Sequence, residues 1–447
     1  MKHADIVNAI HQVLRDTMFI PQIDAFHADA RLNEDLYLDS VLVLELILNL
    51  ETELGFDIPD DALTKDDFDT VASLATFLDR RISGGSSPET DSTPAAIDAA
   101  APEEFEDIKV HCFISCVCEM IKADPRVDHR PFYFGVWDAE VVVDDQFRLS
   151  YHSEDINHDF FKRWYQTLYG VEMHPWYQDQ ADKAKNINTL LSLLNNKSGQ
   201  RQVMVMLDMY RLPERENKFN QNPFPHYVLL EETDDPTTWF MTDPDFRWEG
   251  PLPKDKILNA IESPAVSGGY YFDSSDIRET ARQDIHDYFL ACINPDHNPM
   301  TDAVRAIIDA HLNPNNNLPL SALSDALKQI PVLAIRKYAY EHGFAYFWRE
   351  MDLDDDAFED WCVVIEALVE TYKLIQFRAM KIAKFDAIEA VDPQLLSEVY
   401  GLLDQQDERE FHIKKHLIEV FQQWTMQHIT PALASSVNTR IAEEVEP

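Results

Sequence analysis

Glycine is scarce, with 11 in 447 residues. No Gly-rich loop of the kind that cradles phosphate is present, which argues against an adenylating or nucleotide-dependent module. Basic residues are also few: 38 Lys+Arg against 80 Asp+Glu, a net charge of -42. Such a surface repels phosphate backbones and anionic lipid heads, so nucleic acid and membrane are not expected partners. It suits basic proteins and cationic small molecules, or simply keeps the chain soluble. No apolar run approaches the roughly 20 residues of a spanning helix. The opening MKHADIVNAIHQVLRD lacks the continuous apolar segment of a signal peptide, so a cytoplasmic protein is expected. Cysteine numbers only five, an odd count without a regular framework, which argues against structural disulfides.

What is present divides along the chain. Residues 1–81 read as a helical unit. Ile6, Ile10 and Leu14 repeat at the spacing of one helix face, and Val71 to Leu78 forms a last short helix. Between them Asp39 stands as an N-cap before VLVLELILNLETEL, which Gly55 ends. Residues 82–103 hold almost no large apolar side chain and form a tether spanning about 25 Å as a coil. Residues 104–275 look mixed, with a buried helix in HCFISCVCEMIKA, strands in WDAEVVV, QVMVMLDMY and HYVLLEE, and a strand running into a turn in WFMTDPDF. Residues 276–447 are mostly helical, with periodic segments near 276–292, 301–312, 320–349, 356–384 and 394–426. The expected fold is α+β and multidomain.

Ser40 follows Asp39 at the start of the second helix. There the helix dipole and free N–H groups favour a phosphodiester. Leu38-Asp39-Ser40-Val41, with Phe56 to Pro59 (F-D-I-P) and the closing helix, resembles the acyl and peptidyl carrier proteins over essentially all of residues 1–81. The resemblance implies a four-helix carrier bundle bearing covalent 4'-phosphopantetheine on Ser40. It also implies a phosphopantetheinyl transferase as partner. With no phosphate-binding loop in the chain, activation of the acid is expected on a separate adenylating enzyme. The bland alternative is Ser40 as an ordinary helix cap.

A tethered thioester needs an enzyme to use it. Cys112 stands where a loop enters an apolar helix, a position that favours the thiolate. His226 begins one strand and Asp243 ends the next, so adjacent strands would bring them together and Asp243 could orient an imidazole that activates Cys112. Cys116 and Cys118 compete for the nucleophile role, and all three cysteines also fit a buried helix that merely tolerates them. His226 alone fits a structural histidine, and Asp243-Pro244 an ordinary turn. The order His111-Cys112, His226-Tyr227-Val228, Asp243-Pro244 resembles papain-like peptidases of the bacteriocin-leader type. It also resembles the butirosin-pathway acyltransferase, which moves an acyl group from a carrier to an amine. The Gln that often precedes the nucleophile in the leader peptidases is missing here, so backbone N–H groups would have to serve as the oxyanion hole.

Over the whole chain, a carrier joined to this body is similar to the petrobactin siderophore pathway. There an aryl carrier and a separate condensing protein transfer 3,4-dihydroxybenzoyl to a polyamine. The resemblance implies an amide-forming acyl- or aryltransferase acting on a small amine or polyamine. A thioesterase or peptidase-like hydrolase with the same triad, and a non-catalytic docking scaffold, remain alternatives. No metal site is expected: C-x3-C-x-C lacks a second ligand pair, and no Glu follows the first of His412 and His416. The acidic run Asp352 to Asp360 is open to two readings, attraction of a polyamine or ordinary helix capping. The aromatics of DHRPFYFGVWD and FAYFWRE could line an acyl pocket or fill the core.

Overall fold

Apolar periodicity sets the helices, and the computed structural model shows where it is interrupted. The structure describes residues 3–18, 20, 22–32, 35–36, 38, 40–54, 69–82, 111–139, 141–152, 158–196, 199–212, 215 and 221–429. These fall into two compact units, the first drawn from residues 1–108 and 216–220 and the second from 109–215 and 221–447.

In the first unit, α1 (His3–Gln12), α2 (Ser40–Leu54) and α3 (Val71–Ile82) pack together. Ile6, Ile10, Leu46, Ile47, Leu50, Val71, Leu74 and Leu78 are fully buried. Asp39, Gly55, Phe56 to Pro59, the tether at 83–103 and any fourth helix between α2 and α3 lie outside the described residues.

The second unit opens with α4 (Cys112–Lys122), followed by a tight turn at Arg130–Gly135 and a short hairpin, β1 (Val142–Val143) and β2 (Leu149–Ser150). The strand expected over WDAEVVV is therefore only Val142–Val143, because Phe134 and Trp137 are drawn into the aromatic core instead. Next come α5 (Asp159–Tyr169), β3 (His174–Pro175) and α6 (Lys183–Asn195). Gly170 stops α5 in a left-handed conformation, φ 81°. The Asp182 side chain caps α6 by accepting from the Lys185 N–H at 2.7 Å.

β4 (Arg201–Asp208), β5 (Pro225–Glu232), β6 (Thr238–Asp243), β7 (Trp248–Pro253), α7 (Lys254–Ile261) and β8 (Gly269–Asp273) complete a six-stranded antiparallel sheet in the order β3-β8-β4-β5-β6-β7. Both central strands are buried over most of their length, with α4 packed on β5 and α7 on β4. That covering on both faces explains why β4 and β5 read as continuous apolar runs rather than alternating ones.

The helical part comprises α8 (Arg282–Cys292), α9 (Pro299–Leu312), α10 (Leu323–Ala326), α11 (Ile330–Ala334), α12 (Ala339–Met351), α13 (Asp355–Ile382) and α14 (Pro393–His428). The segment expected to run through 320–349 is broken into short pieces around Gln329, Pro331 and Tyr338. Proline is tolerated only in a helix's first turn, so Pro331 starts α11 rather than continuing α10. Both aromatic segments are core: Trp137 stacks on Tyr340 at 4.9 Å, Phe134 stacks on Phe347 at 5.7 Å, and Phe344 and Tyr346 are buried. His412 and His416 pack on Trp361, and Asp354 caps α13. Among the described residues, no helix is long and apolar enough to cross a membrane.

A buried ionic cluster ties the helices to the turn after α4. Lys337 Nζ donates to Glu410 Oε1 at 2.6 Å and Asp138 Oδ1 at 3.0 Å, Lys414 Nζ donates to Asp138 Oδ2 at 2.8 Å, and Tyr340 adds its hydroxyl to Glu410 at 2.9 Å. Two cations balance two carboxylates away from water. Lys337→Met is therefore expected to cost about 3–5 kcal/mol, by leaving Glu410 buried with a weakened partner. A denaturant midpoint unchanged in tryptophan fluorescence would contradict this.

Candidate active site

Strand alternation sets the geometry. β5 and β6 pair antiparallel with Leu229 opposite Thr242; continued by one step, that register would set Val228 opposite Asp243. His226 lies two residues from Val228, so it projects from the same face as Asp243 as its diagonal neighbour. The two side chains meet: His226 Nε2 lies 2.9 Å from Asp243 Oδ1. Both are buried, at 3% and 0% exposure.

Cys112 lies beside the same ring, close enough for its thiol to interact with the imidazole. Burial would drive His226 toward neutrality, but Asp243 and Cys112 on either side outweigh it and hold the imidazole pKa well above its ordinary value. Burial likewise opposes ionisation of Asp243, yet His226 and the Arg215 guanidinium keep its pKa below the usual carboxylate value. Arg215 reaches Asp243 Oδ2 at 3.3 Å and lies over the Trp248 ring at 4.0 Å. Phe246 N–H donates to Asp243 Oδ1 at 3.3 Å. The Asp243 carboxylate is thus held from three sides.

Cys112 is the first residue of α4, and no side chain caps that helix start. The first-turn N–H groups have no intrahelical acceptors and point where negative charge on sulfur or on a carbonyl oxygen would develop. Cys112 is partly exposed, while Cys116 and Cys118 are 0% and 1% exposed and face the backbone carbonyls of Tyr227 and His129. A thioester arriving from outside can reach the first and not the other two. Burial pushes the Cys362 thiol up to about 12 and raises Cys292 as well, so neither is a thiolate at neutral pH.

Three further residues escaped sequence reasoning. Tyr151 is buried near Cys112 and donates its hydroxyl to the Pro225 carbonyl at 3.2 Å. It also lines a cavity of about 280 Å3 together with Ser150, Gln221, Asn222 and Pro225, the residue before His226. Asp245 accepts a 2.9 Å hydrogen bond from Ser115, one turn beyond Cys112. Asp245 had a visible signal, the second acid of DPD; Tyr151 had none. In the first unit, Ser40 is the opening residue of the 15-residue α2, and its side chain lies outside the described set.

Comparison with known proteins fits this division. Residues 7–78 match the phosphopantetheine attachment site model, 107–277 the DUF6005 N-terminal domain and 283–438 the DUF6005 C-terminal domain. Petrobactin synthase of Bacillus anthracis is 42% identical over 317 residues, covering 71% of this chain and 95% of that protein. The chain belongs to the petrobactin synthase family. Acyl carrier protein AsbD of Bacillus anthracis is 32% identical over 79 residues, which is 18% of this chain and 87% of AsbD. A carrier domain and a condensing-type enzyme are therefore fused here, and the carrier holds phosphopantetheine covalently. A helix N-terminus at residue 40 suits its phosphodiester.

Proposed function

We propose that this petrobactin synthase family member is an amide-forming acyl- or aryltransferase of siderophore biosynthesis. It moves an acyl group from its carrier to an amine, with a polyamine as the favoured acceptor and 3,4-dihydroxybenzoyl as the favoured acyl group. Ser40 holds the phosphopantetheine, installed by a phosphopantetheinyl transferase, and a separate adenylating enzyme supplies the activated acid. The arm's contribution is a thioester, whose aminolysis is downhill and needs no nucleotide at this step. Residues 104–275 form a papain-like catalytic domain, 276–447 a helical domain packed on it, and 82–103 the tether.

One observation carries this reading: a partly exposed cysteine at a helix start, beside a buried histidine whose Nε2 is 2.9 Å from a carboxylate. Cys112 attacks the thioester carbonyl as a thiolate, with the α4 N–H groups receiving the oxyanion. His226 holds the proton taken from Cys112 and gives it to the departing thiol. Asp243 keeps the ring oriented and stabilises its charged form. The amine then attacks the acyl group on Cys112.

The test is intact-protein mass spectrometry on full-length holo protein loaded with 3,4-dihydroxybenzoyl, with and without spermidine. We expect loss of the aryl mass and release of the amide only with amine. Release of free acid at one rate in both samples points to a hydrolase instead. Retention of the group in both points to a docking scaffold.

A further inference from the structure

Proton balance asks more of the site than the triad provides. At neutral pH an alkylamine arrives as an ammonium, and forming the amide removes two protons from its nitrogen. His226 can take only one, which restores the imidazolium beside the Cys112 thiolate. A second acceptor is required, and one carboxylate is placed for it.

Asp243 ends β6, and the turn after it, closed by the Arg247 N–H to the Pro244 carbonyl at 3.3 Å, carries Asp245 back to α4. Arg247 adopts φ 48° to make that turn. Asp245 Oδ1 accepts from Ser115, a fully buried hydroxyl three residues after the nucleophile. Positions three apart on a helix are neighbours about 5–6 Å apart. Among the described residues, no hydrogen bond occupies Oδ2, and the side chain is half-buried rather than sealed. The charged groups that Asp245 feels are those of this site: His226, Asp243 and His111. Asp243 cannot share the task, because both of its oxygens are engaged by His226, Phe246 and Arg215.

We propose that Asp245 anchors the acceptor ammonium beside the acyl group on Cys112 and accepts the first of its two protons. This rests on the acyltransferase reading above. The ammonium gives one proton to Asp245 Oδ2. The freed nitrogen lone pair forms the C–N bond, the C–S bond breaks with its electrons going to Cys112 Sγ, and His226 takes the second proton as the tetrahedral species collapses. The products are the amide, the thiolate–imidazolium pair and a protonated Asp245 that discharges to solvent. Burial, the largest influence, raises the Asp245 pKa against the opposing pull of His226 and makes it a better base than an ordinary carboxylate.

The discriminating experiment compares two nucleophiles on aryl-loaded full-length holo protein: spermidine, charged at neutral pH, and methoxyamine, already neutral. Asp245→Asn is expected to slow amide formation with spermidine by roughly 10²- to 10³-fold, the range of a general base. An aryl-Cys112 species should then accumulate. With methoxyamine the loss should be under about tenfold, since the first deprotonation is no longer needed. That residual activity also shows that the variant folds. Equal losses with both nucleophiles, or a wild-type rate with spermidine, would overturn the proposal while leaving Cys112 in place. If wild type forms no amide with either amine, the acyltransferase reading falls and takes this inference with it.

Discussion

Cys112→Ala is expected to reduce amide formation by roughly 10⁶-fold, the loss typical when a covalent nucleophile is removed from a site acting as a unit. The size follows from the arrangement: without sulfur, neither the α4 N–H groups nor the His226–Asp243 pair has an acyl group to act on. Cys116 cannot substitute, since it is fully buried beneath the first turn. Single-turnover mass spectrometry of the loaded protein reads this directly. If the variant keeps within tenfold of wild type, the amine attacks the carrier thioester without a Cys112 intermediate. The pH profile adds a signed check. The acylating form needs His226 protonated beside the thiolate, and its folded-state pKa is raised, so the alkaline limb of acyl uptake should lie well above the ordinary imidazole range. Asp243→Asn removes the largest raising influence and leaves burial, which lowers the pKa, opposed only by Cys112. The limb should then move to lower pH, and the rate should fall by up to about 10⁴-fold. A limb that does not move would separate Asp243 from His226 in function.

Ser40→Ala is expected to abolish loading altogether. With coenzyme A and a phosphopantetheinyl transferase, wild type should gain the phosphopantetheine mass and the variant should gain none. No partial effect is expected, because attachment needs one hydroxyl at one helix start. The first unit should otherwise be unaffected, since its core of Ile6, Leu46, Leu50 and Leu74 lies elsewhere. Amide formation from the protein's own carrier should vanish with it, because no thioester then forms on that carrier. A variant that still gains the mass would move the attachment point away from Ser40.

Much of this was readable from contiguous residues. The Asp-Ser motif with its flanking helices, the helix beginning at Cys112 and the strands of β4, β5 and β6 are local patterns, set by periodicities of 3.6 and 2 and by turn chemistry. Even the meeting of His226 and Asp243 was accessible, because consecutive antiparallel strands pair with their neighbours. Only the tertiary structure decided the rest. Local propensity made one long helix of 320–349 and a strand of WDAEVVV, but Pro331 broke the first and the aromatic core drew Trp137 out of the second. Which of three cysteines is reachable depended on what packs over α4. The support of Arg215 for Asp243, of Ser115 for Asp245, and the Lys337–Glu410–Asp138–Lys414 cluster join residues 28, 130 and up to 276 positions apart. No sequence period encodes such separations; they exist only once sheet register and helix packing bring the side chains together.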